Sequence, residues 1–305
     1  MIIAVFPGQG SQSPGFLAPW LELEGARERL ERYSDLAGVD LVAAGTEWDA
    51  DRIRDTAVAQ PLIVAASLLS YDALVREAAR PAGVAGHSVG EIAALAAAGV
   101  LRDDDAMRLV GLRGRAMADA ATREQTGMSA VLGGDQDAVV ARLHELDLTP
   151  ANYNGGGQIV AAGALDALAD LAAEPVASTR VIPLQVAGAF HTRYMAPAVE
   201  TLAEAASATS VSDPALTLWS NRDGAVVSDG REALDRLVTQ VASPVRWDLC
   251  MSSFAEHGVT GIIEFAPAGT LVGLAKRALR GVPSVAVKTP DDLAAASALI
   301  SGGAA

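Results

Sequence analysis

The chain opens with an unbroken apolar run, Met1-Ile2-Ile3-Ala4-Val5-Phe6, of strand length and type. Pro7-Gly8-Gln9-Gly10-Ser11-Gln12 ends it as a loop. Residues 57–79 carry a long helical pattern. The small-residue run Gly83-Val84-Ala85-Gly86 predicts a short strand. Residues 91–98, rich in Ala, Leu and Ile, predict a helix stopped near Gly99. A further helix is predicted over 103–121, with Asp103, Asp104 and Asp105 at its positive end. The rhythm then changes. Strands are expected at 128–132, 148–153, 158–162 and 180–186, and helices at 137–146 and 165–173. That order, β-α-β-β-α-β, is the ferredoxin-like pattern. It reads as a small subdomain, 125–189, inserted into a larger α/β subdomain formed by 1–124 and 190–305. Later strands are expected at 261–265 and 284–287.

Length and composition narrow the class. With 305 residues, half of them hydrophobic and a fifth charged, the chain can build a sizeable core of one or two domains. No apolar run is expected to reach the roughly 18 residues of a membrane span, and no basic residue precedes Arg27, so neither an anchor nor a secretory signal is expected. One cysteine, Cys250, rules out an internal disulfide and a multi-cysteine metal site; it reads as a small buried side chain in a cytoplasmic protein. A net charge of −14 argues against nucleic acid as a partner. Nothing calls for a metal or redox cofactor.

Gly86-His87-Ser88-Val89-Gly90 fits G-x-S-x-G between a strand and a helix. A sharp turn there would expose the Ser88 hydroxyl, and the flanking glycines would let the backbone pass closely. The next helix would aim its first amides at any anion formed. The serine needs a base, and there are four histidines. His87 adjoins Ser88, and adjacent side chains in such a turn diverge. His144 falls on a solvated helical face, and His257 at a helix end. His191, where the chain leaves the small subdomain, remains. No Asp or Glu announces itself as a third member; a backbone carbonyl could orient the imidazole instead.

Arg113 breaks the apolar pattern of its helix. At about 100° per residue, Ala106, Leu109, Val110, Ala116, Met117 and Ala120 share its face. Arg108 and Arg115 project to the other side. A guanidinium on a buried face requires a partner, either a protein carboxylate or the carboxylate of a ligand. The second would mean an acyl group carrying its own negative charge.

The chain resembles malonyl-CoA:acyl carrier protein transacylases. The likeness is carried by Phe6-Pro7-Gly8-Gln9-Gly10-Ser11-Gln12, Gly86-His87-Ser88-Val89-Gly90-Glu91, Leu112-Arg113-Gly114-Arg115-Ala116-Met117 and Ala189-Phe190-His191. Asn152-Tyr153-Asn154 through Gln158, Ser243-Pro244-Val245-Arg246-Trp247 and Glu264-Phe265-Ala266-Pro267-Ala268-Gly269 extend it over almost the whole chain. The resemblance implies an α/β-hydrolase-like large subdomain with a ferredoxin-like insert. It implies ping-pong transfer of malonyl from coenzyme A to a serine, then to the phosphopantetheine thiol of an acyl carrier protein, feeding fatty acid or polyketide synthesis, with the CoA thioester as substrate and no cofactor. Carried over by motif, Ser88 is the nucleophile and His191 the base. Gln9 and Val89 supply oxyanion-hole amides, and Arg113 clamps the malonate. The backbone carbonyl of Gln240 orients His191. Phe190, His87 and Asn154 join Arg113 around the substrate. Gly188 departs from the His that related polyketide domains often carry there. A carrier could dock on Lys276, Arg277 and Arg280. The competing expectations are a serine esterase or thioesterase, which shares Ser88 and His191 but does not need Arg113, and the malonyl transferase subunit of a malonate decarboxylase.

Overall fold

The computed structural model describes residues 1–302; residues 303–305 lie outside the described part. In chain order the first part runs β1 (Ile2–Phe6), α1 (Ala26–Ala37), α2 (Leu41–Thr46), α3 (Thr56–Glu77), β2 (Gly83–Gly86), α4 (Gly90–Ala97) and α5 (Asp103–Ala121). The middle holds β3 (Thr126–Gly133), α6 (Gln136–Glu145), β4 (Thr149–Gly155), β5 (Gln158–Ala164), α7 (Leu165–Ala173) and β6 (Thr179–Pro183). The last part adds α8 (Ala196–Ser207), β7 (Thr217–Trp219), β8 (Val226–Val227), α9 (Gly230–Gln240) and β9 (Val245–Arg246). It ends with α10 (Trp247–Glu256), β10 (Gly261–Glu264), α11 (Thr270–Ala278), β11 (Ser284–Ala286) and α12 (Leu293–Ile300). The architecture is α/β with two sheets.

The larger sheet has the order β11-β10-β1-β2-β7-β8, parallel except for the short edge strand β8. Its centre is buried on both faces, which is why β1 and β2 read as continuous apolar or small-residue runs. The register Ile3↔Gly83 through Phe6↔Gly86 brings the carboxyl ends of β1 and β2 level. The Gly8–Gln9 loop and the Ser88 turn therefore leave the sheet side by side, at the edge where open α/β sheets carry their ligands.

Helix α3 packs on α5 and α4. Contrary to the expectation of no span-length apolar run, α3 is long and apolar enough to cross a membrane by length and composition, with a mean hydropathy of 1.6 over 18 residues. Of that window 78% is buried inside the protein, so its apolar surface is spent on the core.

The second sheet has the order β6-β3-β5-β4-β9. Its first four strands, antiparallel, come from residues 126–183. The fifth, β9, arrives from far along the chain and pairs parallel with β4, Asn152 opposite Val245. The two-residue period of the strands sorts side chains by face. Val131, Ile159 and Ala161 turn to a core beneath α6 and α7. Met128, Ala130, Asn152, Asn154, Gln158 and Val160 turn the other way and line a cleft against the larger sheet. The strand expected over 180–186 ends at Pro183. Beyond it Leu184 keeps one bond to Met128 O, and the chain turns along the cleft.

Candidate active site

The cleft has a volume of about 280 Å³ and is walled by the Gly8–Gly10 loop, His87 and Ser88, the inner face of the small sheet, Phe190 and His191, and the first turns of α11. Ser88 sits at φ 54°, in the left-handed region, immediately after β2. The crowding of the strand-to-helix turn holds the serine in this uncommon conformation. A Cβ on Gly86 would run into the backbone of Gly90 and Glu91, and one on Gly90 into the backbone of Phe6 and Pro7. Asn221 locks the turn from outside: its Oδ1 accepts from the Ser88 amide at 2.8 Å, and its Nδ2 donates to Gly86 O at 2.7 Å.

His191 lies 2.7 Å from the Ser88 hydroxyl through Nε2. Its Nδ1 is 2.8 Å from the backbone carbonyl of Gln240. A carbonyl can only accept, so Nδ1 carries the proton and Nε2 is the free base that receives the Ser88 hydroxyl hydrogen. Burial, with the Arg113 charge adding to it, lowers the imidazole pKa to about 3. The ring is therefore neutral at neutral pH, with Nε2 unprotonated and facing the hydroxyl. His191 too is left-handed, at φ 62°, held by its amide on Val241 O and by the Ala189 amide on the Thr126 hydroxyl. Gly188 packs where a Cβ would stand 2.8 Å from Ala121 Cβ, so a histidine side chain has no room at that position.

The remaining sequence candidates fall around this pair. Among the described residues, the amides of Gln9 and Val89 are not spent on any hydrogen bond. The Gly8 end of the first loop is pressed against His87 and Ser88. His87 turns away from the hydroxyl and pairs through Nε2 with Asn154 Oδ1 at 2.8 Å. Burial lowers its pKa as well. Phe190 is nearly covered and lines the cleft beside Ser88. His144 is exposed on α6, and His257 follows α10, its ring 2.8 Å from Ser253 O.

Arg113 is fully buried and is not among the residues that line the cleft; it is joined to the site through Gln240, whose carbonyl holds His191. No protein carboxylate touches it directly among the described residues. Its terminal nitrogens donate to two neutral oxygens, Gln60 Oε1 at 2.6 Å and Gln240 Oε1 at 2.9 Å, and its Nε has no partner. Burial lowers its pKa to about 10, which still leaves it charged. The Glu91 carboxylate is linked to it through the Gln240 side chain. A buried charge fixed by neutral acceptors is poised for an anion.

Gln60, Asn221 and Glu91 were not singled out from the sequence. Gln60 carried a usable signal, a polar residue inside the apolar run of α3. Asn221 carried none. Glu91 looked like an ordinary first-turn acid. Of the docking candidates, Lys276 and Arg277 are exposed on the last turn of α11, and Arg280 lies just past it. Arg277 reaches Gln158 of the cleft wall at 3.3 Å. Cys250 is fully buried, with Sγ 3.4 Å from Ser220 O.

A serine–histidine pair at the carboxyl edge of a parallel sheet defines a class of acyl-handling proteins, and the chain belongs to the acyl transferase domain family, which matches residues 3–292. It is 56% identical over 296 residues to the malonyl CoA-acyl carrier protein transacylase of Mycobacterium tuberculosis, covering 96% of this chain and 98% of that one. Within the acyl transferases it is thus a member of the malonyl CoA-acyl carrier protein transacylase family. The Salmonella typhimurium transacylase is 35% identical over 301 residues, covering 96% and 97%. The crystal structure of the Mycobacterium tuberculosis MCAT superimposes with a TM-score of 0.93, covering 96% of this chain and 98% of that one. A malonyl-transacylase in complex with its holo type II PKS acyl-carrier protein, 30% identical, superimposes with a TM-score of 0.92, covering 97% and 98%.

Proposed function

We propose that this chain moves malonyl from malonyl-CoA to the phosphopantetheine thiol of an acyl carrier protein, through a malonyl ester on Ser88. The observation that carries the reading is the neutral His191 Nε2, 2.7 Å from the Ser88 hydroxyl, with the buried, carboxylate-free Arg113 behind it. His191 takes the hydroxyl proton as Ser88 Oγ attacks the thioester carbonyl. The amides of Gln9 and Val89 receive the oxyanion, each such donor being worth roughly 10²–10³ in rate. The carbonyl re-forms, the carbon–sulfur bond breaks, and His191 returns its proton to the CoA sulfur. The carrier thiol then gives its proton to His191 and attacks the malonyl-serine, and Ser88 leaves as the alcohol. The CoA thioester enters as substrate, and the reaction as written uses no cofactor.

Arg113 receives the free carboxylate of the malonyl group. Such a charge-assisted contact is worth about 1.5–3 kcal/mol, and an acetyl group would leave the guanidinium without it. Phe190 narrows the space at the acyl α-carbon, and His87 and Asn154 shape the wall opposite. Segments 1–124 and 190–305 act as the catalytic subdomain and 125–189 as the ferredoxin-like small subdomain. The carrier docks by its acidic surface on Lys276, Arg277 and Arg280. Support comes from charge: residues 265–290 contain no Asp or Glu, in a chain with 37 of them. The product serves fatty acid or polyketide chain elongation in the cytoplasm, where the lone buried Cys250 remains a thiol.

The test is a brief incubation with malonyl-CoA, an acid quench and an intact-mass measurement. One malonyl adduct is expected on the native chain, none on Ser88→Ala, and little with acetyl-CoA; Arg113→Ala should bring the malonyl and acetyl signals together. Release of CoA without an adduct would instead identify a hydrolase.

A further inference from the structure

We propose that Glu91 is a positioning residue for the transfer: its buried carboxylate holds the nucleophile turn, the base and the acid-binding arginine in one register. This rests on the Ser88–His191 chemistry proposed above. Acids in a first helical turn ordinarily face water. Glu91 faces inward and is 3% exposed. Its Oε1 accepts from the Asn221 amide and its Oε2 from Gln240 Nε2, both at 2.5 Å.

Each of those two donors has a second task. Asn221 holds the Ser88 amide and Gly86 O with its side chain. Gln240 presents its main-chain carbonyl to His191 and its side-chain oxygen to Arg113. The Gln240 amide has no freedom to turn over. Arg113 only donates, so Oε1 must face it, and Nε2 is left pointing at Glu91, where it requires an acceptor. Its other contacts, Ser88 O and Asn221 Oδ1, are longer, both 3.2 Å. Burial raises the Glu91 carboxyl to about 8 even against the pull of its two donors and the Arg113 charge, yet both of its oxygens accept from N–H groups, so the geometry is that of the carboxylate.

The ties meet at two residues that need them. Ser88 and His191 both sit at positive φ. Such conformations persist only where surrounding contacts over-determine them. Glu91 touches neither reacting atom. It holds the two residues that hold them, and so stands at one remove where a Ser-His-acid set has its acid.

The experiment substitutes Glu91→Gln in the full chain. A glutamine of the same shape would face one of the two N–H donors with its own NH₂ group. Steady-state transfer to a carrier would be measured with malonyl-CoA and with acetyl-CoA, alongside a thermal melt. We expect kcat to fall on the order of 10²-fold for both donors, the loss a misplacement of about 1 Å gives. The malonyl-to-acetyl ratio of kcat/KM should fall as well, because the Gln240 amide that Glu91 holds also holds Arg113. Glu91→Asp keeps the charge but is too short to meet both donors, and should lose about tenfold in kcat by the same measure. A lower melting temperature with wild-type kcat in either variant would reduce Glu91 to a structural role and overturn the proposal. If Glu91→Gln does not fold, the Glu91→Asp values decide on the same terms. Failure of the underlying chemistry would look different: transfer would survive Ser88→Ala and His191→Gln.

Discussion

Ser88 and His191 share an unusual backbone state, φ 54° and 62°, but they reach it from opposite directions. Ser88 is shaped by its near sequence and only braced from afar, by Asn221 and Gln240. The strand before it, the helix after it and the glycines at 86 and 90 leave the turn almost no alternative. His191 is held from afar. Its amide rests on Val241, its Nδ1 on Gln240 and the Ala189 amide on Thr126, contacts that span 49 to 63 residues. A nucleophile fixed locally can be aimed with the precision of a sheet edge. A base fixed by distant segments is aligned only after the two subdomains and α9 have come together, so assembly of the fold and readiness of the site coincide.

The largest effect should come from breaking the base. His191→Gln keeps a polar side chain of similar reach but cannot accept and return a proton. Acyl-enzyme formation in a single turnover should fall about 10²–10⁴-fold, the usual worth of a positioned general base. A loss below threefold would mean another group activates Ser88. The comparison between the regions is sharpened by two glycine substitutions. A Cβ at position 90 would meet the main chain of Phe6 and Pro7, which cannot yield. Gly90→Ala should therefore cost about 3 kcal/mol or more, read by denaturant unfolding. At position 188 the obstacle is softer: the nearest atom is Ala121 Cβ at 2.8 Å, with Thr126 Oγ1 at 3.3 Å. Gly188→Ala should cost about 1–2 kcal/mol and act mainly by shifting the base. Equal costs at the two positions would mean that the base segment is packed as rigidly as the nucleophile turn.

The same distinction explains what could be seen in the sequence. The Ser88 turn is written in five adjacent residues, and the small sheet in strands whose alternation is local. Arg113 showed itself because a charge stood on an apolar helical face. His191 emerged only by elimination among four histidines. Asn221 lies 133 residues from the amide it holds and sits in no periodic pattern, so nothing marked it. Glu91 was hidden for the reverse reason, since its position in a first turn has an ordinary explanation. The two-residue strand β9 was equally silent, because its pairing with β4 depends on the tertiary meeting of residues 152 and 245. The expected length of β6 failed at Pro183, beyond which Leu184 and Val186 turn into the wall of the cleft.

The smallest effect tests the electrostatics of the distant control. Burial and the Arg113 charge lower the His191 pKa to about 3, against the ordinary 6.5 of a free histidine. Between those values the unfolded chain binds a proton that the folded chain refuses. The stability that a neutral His191 provides is thus complete above pH 6.5 and drains away as the pH falls towards 3. The native chain and His191→Gln should accordingly differ in their response to acid. Relative to pH 8, unfolding at pH 5.5 should cost the native chain about 1.4 kcal/mol more of its stability than it costs the variant, the free energy of protonating one ordinary histidine. Denaturant titrations of both proteins at the two pH values measure this. If the gap between them is unchanged, His191 takes up its proton in the folded state near 6.5, and the neutral base is not preset by the fold. A gap that narrows as expected would mean that the distant contacts set the protonation state of the imidazole as well as its position.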